Sequence, residues 1–160
     1  MQTRALLIVP AFLCLTALPA AAKTSPLEQG IQSILSGEFA DAVELLAPAA
    51  AQKPKDAVLH YHLGVAYKGL ADFQRATQEF AQAARLASRF SGPLRSQAEW
   101  GLALSYEELG NCEAARGAWM RYLSASAGDG PGVAQIARQH IQACPLWPVN
   151  VEPERYPRYR

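Results

Sequence analysis

Apolar side chains recur with the period of an α-helix along most of this chain. Leu27, Ile31 and Ile34, for example, are spaced four and three residues apart, which places them on one face of a helix. Glycine and proline interrupt such stretches at short intervals. The pattern predicts an all-α fold built from short helices joined by tight turns.

A combination of small and aromatic residues is repeated. The first copy is Leu63-Gly64-x2-Tyr67 followed by Ala76-x3-Phe80, and 39 residues later come Leu102-Ala103-x2-Tyr106 and Ala115-x3-Trp119. An earlier half-copy, Phe39, Ala42 and Leu46, precedes Phe73, Ala76 and Phe80 by 34 residues. Small residues let two helices approach, and aromatic residues fill the space beside them. The repetition indicates a stack of helical hairpins.

This spacing resembles tetratricopeptide repeats (TPRs) over residues 27–126. The resemblance implies a right-handed superhelical stack of about three hairpins, at about 27–54, 57–88 and 96–127. The apolar stripe of the first repeat begins one residue late relative to the second, so that repeat is expected to be a divergent end-cap. In the second repeat Ala66, Tyr67 and Leu70 are expected to pack. Helix breakers at 89–93 predict a surface loop before the third repeat.

A further helix is predicted at 131–143, because Pro131 follows a glycine-rich turn. One face carries Val133, Ile136, Ala137, His140 and Ile141, and the other is polar. An open repeat array leaves an apolar surface at its end, so this helix is expected to cap the array. His140 is expected to be partly buried and hydrogen-bonded.

Residues 1–22 are predicted to be a secretory signal peptide. Arg4 precedes an apolar run, which ends in the small residues of Pro19-Ala20-Ala21-Ala22. The alternative, a membrane anchor, is disfavoured because a span needs about 20 apolar residues and this run is shorter. We therefore expect a periplasmic or secreted protein, with its TPR domain at 23–144 and no stable membrane insertion after cleavage.

The segment 145–160 is rich in proline and is expected to be an extended or disordered tail. Whether this tail is simply solvated or docks in the array stays open. Without Arg4 the chain has 14 basic and 14 acidic residues. This balance argues against a nucleic-acid partner, for which a basic face would be expected.

No catalytic, metal-binding or cofactor-binding motif stands out in the sequence. His60 and His62 are two residues apart on a predicted helix, so they point roughly 200° from each other and cannot hold one metal ion. The carboxylates of Glu107 and Glu108 also diverge, because adjacent residues on a helix point in different directions. The protein is therefore predicted not to be an enzyme and to need no cofactor.

The resemblance implies binding of a protein or peptide, of unknown identity, in a concave groove lined by the first helix of each repeat. Tyr61 and Trp100 share one repeat position and are candidate anchors; alternatively, Trp100 packs into the insertion at 89–93. The predicted groove residues are Val58, Tyr61, Val65 and Lys68 in the second repeat, and Gln97, Trp100, Leu104, Glu107 and Glu108 in the third. A scaffold or adaptor, an assembly or export chaperone in the periplasm, and an accessory subunit of an envelope enzyme are the functional alternatives.

Signal cleavage would remove Cys14 and leave Cys112 and Cys144. Cysteines pair by default in an oxidising compartment. Cys112 begins the second helix of the third hairpin and Cys144 ends the antiparallel cap helix, so the two are expected to form a disulfide. The alternative is that Cys112, which occupies the position of Phe39 and Phe73, is a buried free thiol.

Overall fold

The computed structural model describes residues 24–87, 92–126 and 130–143. These residues form seven helices: α1 (Pro26–Leu35), α2 (Phe39–Gln52), α3 (Ala57–Gly69), α4 (Phe73–Leu86), α5 (Gly92–Glu108), α6 (Cys112–Ala125) and α7 (Pro131–Ala143). Successive helices pair as three hairpins that stack in chain order, and α7 packs on α6. The predicted all-α hairpin stack is confirmed. The signal segment 1–22 and the tail 145–160 lie outside the described residues.

Polar side chains just before α1, α3, α4 and α6 fix where these four helices begin. Ser25 and Glu28 form a reciprocal capping box at α1, in which each side chain accepts from the other residue's backbone N–H. Asp56, Asp72 and Asn111 accept first-turn N–H groups at α3, α4 and α6. The starts of these four helices are therefore set by local sequence.

Each hairpin turns through a residue with positive φ. The turn residues Gly37, Ala71 and Gly110 have φ angles of 80°, 58° and 69°. They follow one another at the spacing of the repeats. Glycine adopts this left-handed conformation without penalty, whereas a Cβ atom opposes it. The second hairpin therefore makes its turn with a less suitable residue than the other two.

The repeated large residues form the centre of the core. Leu46, Phe80 and Trp119 occupy the same place in successive hairpins, and at most 1 % of each is exposed. The alanines four residues before them are Ala42, Ala76 and Ala115, and all three are fully buried. The repeated spacing therefore corresponds to one continuous core.

Glycines let the helices approach Phe80. A Cβ atom added at Gly64 in α3 would lie 2.9 Å from the Phe80 ring, and one added at Gly101 in α5 would lie 2.7 Å from it. The Phe80 ring, which comes from α4, therefore fits between the backbones of α3 and α5, the first helices of the second and third hairpins. This contact joins the second hairpin to the third.

Three details differ from expectation. α5 begins at Gly92, four residues before the predicted start, because Pro93 fits in a first turn, where its missing N–H leaves no bond unmade. Leu70 is 44 % exposed because it lies just beyond the end of α3, and Ile136 is 42 % exposed on the outer side of α7.

Among the described helices, none is both long and apolar enough to cross a membrane.

Candidate functional site

An open groove lies where α3 and α5 face the start of α7. Its volume is about 220 Å³, and its lining residues are Tyr61, Ser96, Gln97, Trp100, Tyr122 and Val133. We call this site the aromatic groove. It brings together Tyr61, Gln97 and Trp100, three of the groove residues predicted from the sequence.

Tyr61 supplies the α3 side of the aromatic groove. Its ring centroid lies 5.9 Å from that of Phe80 and 5.1 Å from that of His62. Burial raises the pKa of the Tyr61 hydroxyl. The phenol can donate a hydrogen bond beside an apolar ring.

Trp100 supplies the α5 side and is supported from behind by α6. Its ring lies edge-to-face against Trp119, with centroids 4.7 Å apart at 88°, and against Tyr122, at 5.1 Å and 73°. The ring is half-buried. These contacts hold the indole in place while part of it still faces the groove, which suits a rigid binding anchor.

The other predicted groove residues lie on α3 and α5, the first helices of the second and third hairpins. Gln97 is exposed in the groove, and Val58 is 38 % exposed. Val65 and Leu104 are half-buried against the core. Burial lowers the pKa of Lys68, while the negative charge of Glu108 opposes that shift.

Glu107 was also predicted to line the groove, but its carboxylate is held by side chains of this protein. Its Oε1 accepts a hydrogen bond from Trp119 Nε1 at 2.7 Å, and His140 Nδ1 lies 2.9 Å from Oε1 and 3.1 Å from Oε2. A carboxylate only accepts, so Nδ1 of His140 carries the proton. The His140 ring also stacks on Trp119 at 4.8 Å and 27°. We call Glu107, Trp119 and His140 the Glu107 cluster.

Ser96, Tyr122 and Val133 line the groove but are not among the residues predicted from the sequence. The prediction was confined to first helices of the repeats, whereas Tyr122 belongs to a second helix and Val133 to the predicted cap. Ser96 lies on α5 itself, one position before the predicted Gln97. α7 follows α6 as the first helix of a fourth hairpin would.

A buried carboxylate elsewhere on α5 is accounted for by an ion pair. Glu99 is 3 % exposed, and both of its oxygens accept from Arg121 Nε, at 2.9 and 3.0 Å. Burial raises the pKa of Glu99, while Arg121 and Arg95 oppose that shift. Because both oxygens are held, the pair serves to join α5 to α6.

The histidines of α3 are not arranged as metal ligands. His60 contacts Glu79 Oε2 through Nδ1 at 2.6 Å and the Pro54 carbonyl through Nε2 at 3.2 Å. Burial lowers the pKa of His62. Within 24–87, 92–126 and 130–143, no group of three or more His, Cys, Asp or Glu side chains could hold a metal ion.

Cys112 is the first residue of α6. Cys144 lies outside the described residues, so its pairing with Cys112 stays a prediction.

No protein-family model matches the chain, and no curated protein sequence is significantly similar to it. Among solved structures, the Yersinia enterocolitica type III secretion translocator chaperone SycD is similar, with a TM-score of 0.66. The match covers 76 % of this chain and 81 % of that one at 11 % sequence identity. Such a likeness shows the fold. The chain is therefore an all-helical protein of TPR-like architecture.

Proposed function

We propose that this protein is a non-catalytic interaction module that binds a peptide or protein segment in the aromatic groove. One observation carries the proposal: Tyr61 and Trp100, from the first helices of successive hairpins, line the same open cavity. Both rings rest on buried aromatic residues, so ordering them costs little on binding. Binding energy tends to concentrate in such aromatic anchors.

The shape of the site favours one type of ligand. An open groove of about 220 Å³ has room for a large apolar side chain from an extended segment. The Tyr61 hydroxyl and the exposed Gln97 amide can hydrogen-bond to the backbone of that segment. We therefore propose a partner that presents an extended stretch with a large apolar residue.

A chaperone role is the second candidate. It is supported by the similar structure, which is that of a secretion translocator chaperone. A chaperone would bind its partner before that partner folds, whereas a scaffold would bind the folded form. Measuring affinity for the partner in its native and unfolded forms separates these two roles.

We also propose that the protein is exported after removal of residues 1–22 and acts in the periplasm or outside the cell. The apolar run behind Arg4 and the small residues up to Ala22 support this. N-terminal sequencing of the protein from envelope and culture fractions tests it. A mature chain that begins at Lys23 is the expected result, and an intact cytoplasmic chain would contradict it.

Photocrosslinking identifies the partner and tests the groove together. A benzophenone amino acid is placed at Gln97 in the groove and, in a matched variant, at Gln78, an exposed glutamine of α4. We expect one defined protein to be captured in the producing cells from position 97 and not from position 78. Equal capture from both positions would indicate nonspecific contact and contradict the groove.

A second pair of variants measures the effect on affinity. Gln97→Trp should fill the groove and weaken binding of the captured segment by about a hundredfold. Gln78→Trp adds the same side chain on α4 and should change binding by no more than about twofold. Both positions are exposed, so the midpoint of unfolding should be preserved in both variants. Unchanged affinity in Gln97→Trp would exclude this groove as the binding site.

A further inference from the structure

α7 forms one wall of the aromatic groove but is buried only lightly. Val133, in its first turn, lines the groove. Ala137 is the buried residue of this helix, and Val133 and Ile141 are half-buried against the core. A helix with so small an apolar contact needs further interactions to hold a defined position.

The Glu107 cluster supplies such interactions. Its carboxylate, on α5, accepts one N–H from Trp119 on α6 and one from His140 on α7. The side chains of Glu107 and His140 are 14 % and 28 % exposed, so water competes only in part for these bonds. One carboxylate therefore joins three helices.

The same cluster is connected to both sides of the groove. His140 is two helical turns beyond Val133, so the two side chains lie on the same face of α7. On the other side, Trp119 stacks on His140 and supports the ring of Trp100. A change at Glu107 can thus alter the position of the α7 wall relative to the Trp100 anchor.

We infer that Glu107 is a positioning residue of the binding site, which sets the separation between α7 and Trp100 through His140 and Trp119. It does so without touching the bound segment. This inference rests on the proposed function for its effect on binding. Its effect on α7 does not depend on any ligand.

The chain contains a matched control for this cluster. Glu79 of α4 pairs with His60 of α3 at 2.6 Å, and the two side chains are 23 % and 12 % exposed. This pair is also a half-buried carboxylate bound to a histidine on another helix, but it does not include α7. Glu79→Leu therefore removes a comparable interaction and leaves the cap untouched.

The experiment compares Glu107→Leu, His140→Phe and Glu79→Leu without reductant. His140→Phe keeps a ring to stack on Trp119 and loses the polar bond, so it remains informative if Glu107→Leu does not fold. The measurements are the Trp119 indole N–H resonance, hydrogen exchange of the α7 amides, and affinity for a peptide selected on the wild-type protein from a random phage-displayed library.

We expect the indole resonance to shift and α7 exchange to accelerate about tenfold in both cluster variants, with no change in Glu79→Leu. Peptide affinity should fall about tenfold in the cluster variants and hold in the control. Glu107→Gln should show a smaller change in each measurement than Glu107→Leu, since its amide oxygen still accepts a hydrogen bond from Trp119.

Unchanged α7 exchange in the cluster variants would overturn the inference, even if affinity fell, because Glu107 would then act by direct contact. An equal affinity loss in Glu79→Leu would also overturn it. If the wild-type protein selects no peptide, the proposed function fails, while the exchange and resonance measurements still decide whether Glu107 positions α7.

Discussion

Trp100 lies edge-to-face against Trp119, with ring centroids 4.7 Å apart and planes at 88°. The preceding hairpin pairs rings at the equivalent positions, where Tyr61 lies against Phe80 with centroids 5.9 Å apart and planes at 56°. In the second and third hairpins a half-exposed aromatic residue of the first helix thus rests on a buried one of the second helix. The candidate anchors of the groove are thus also part of the packing.

This dual role predicts a stability cost at Trp100. Trp100→Ala should lower the free energy of unfolding by about 2–4 kcal/mol, because the contacts with Trp119 and Tyr122 are lost and a cavity remains. Trp100→Phe should cost less than half as much. Urea denaturation of both variants gives the measurement. An unchanged midpoint in Trp100→Ala would show that the indole does not support the fold.

Two helical glycines should respond in opposite directions to the same substitution. Gly101→Ala should destabilise the protein by about 1–3 kcal/mol, because the new Cβ meets the Phe80 ring. Gly117→Ala should stabilise it by up to about 1 kcal/mol, because alanine favours the helix and the nearest atom is 3.4 Å away, at the end of the Arg121 side chain. Thermal melts test both, and a stabilising Gly101→Ala would contradict the close approach of α5 to Phe80.

The turn of the second hairpin should be improved by glycine. Ala71→Gly should stabilise the protein by about 0.5–1 kcal/mol, since φ at this position is 58° and glycine removes the Cβ penalty. Gly110→Ala, at the equivalent turn with φ 69°, should destabilise it by a similar amount. Chemical denaturation of the two variants checks the signs. A loss of stability in Ala71→Gly would rule out the left-handed turn at this residue.

The predicted disulfide has a direct chemical test. If Cys112 and Cys144 pair, the bond should stabilise the mature protein by roughly 3–4 kcal/mol in the chain-entropy model. Cys144→Ser should therefore lower the unfolding midpoint without reductant, and reductant should lower that of the wild type. Alkylation followed by mass spectrometry counts the thiols. Two alkylated cysteines in the exported, non-reduced protein would refute the pairing.

The sequence alone determined the hairpins and the positions that form their core. Helix formation depends on residues three and four positions apart and on the capping residues beside them, and all of these are local. The recurrence of Phe80 as Trp119 therefore predicted which large residues are buried. The same recurrence placed Tyr61 and Trp100 at equivalent points of neighbouring helices.

Only the tertiary structure decided which side chains meet in the groove. Glu107 is bound by Trp119 and His140, 12 and 33 residues away in the chain, and Val133 reaches the groove from a helix that the sequence marked only as a cap. Such contacts depend on how helices distant in sequence are placed against each other, and helical periodicity carries no information on that placement. Periodicity assigns a residue to a helix face, and packing between hairpins decides whether that face binds a partner or another helix.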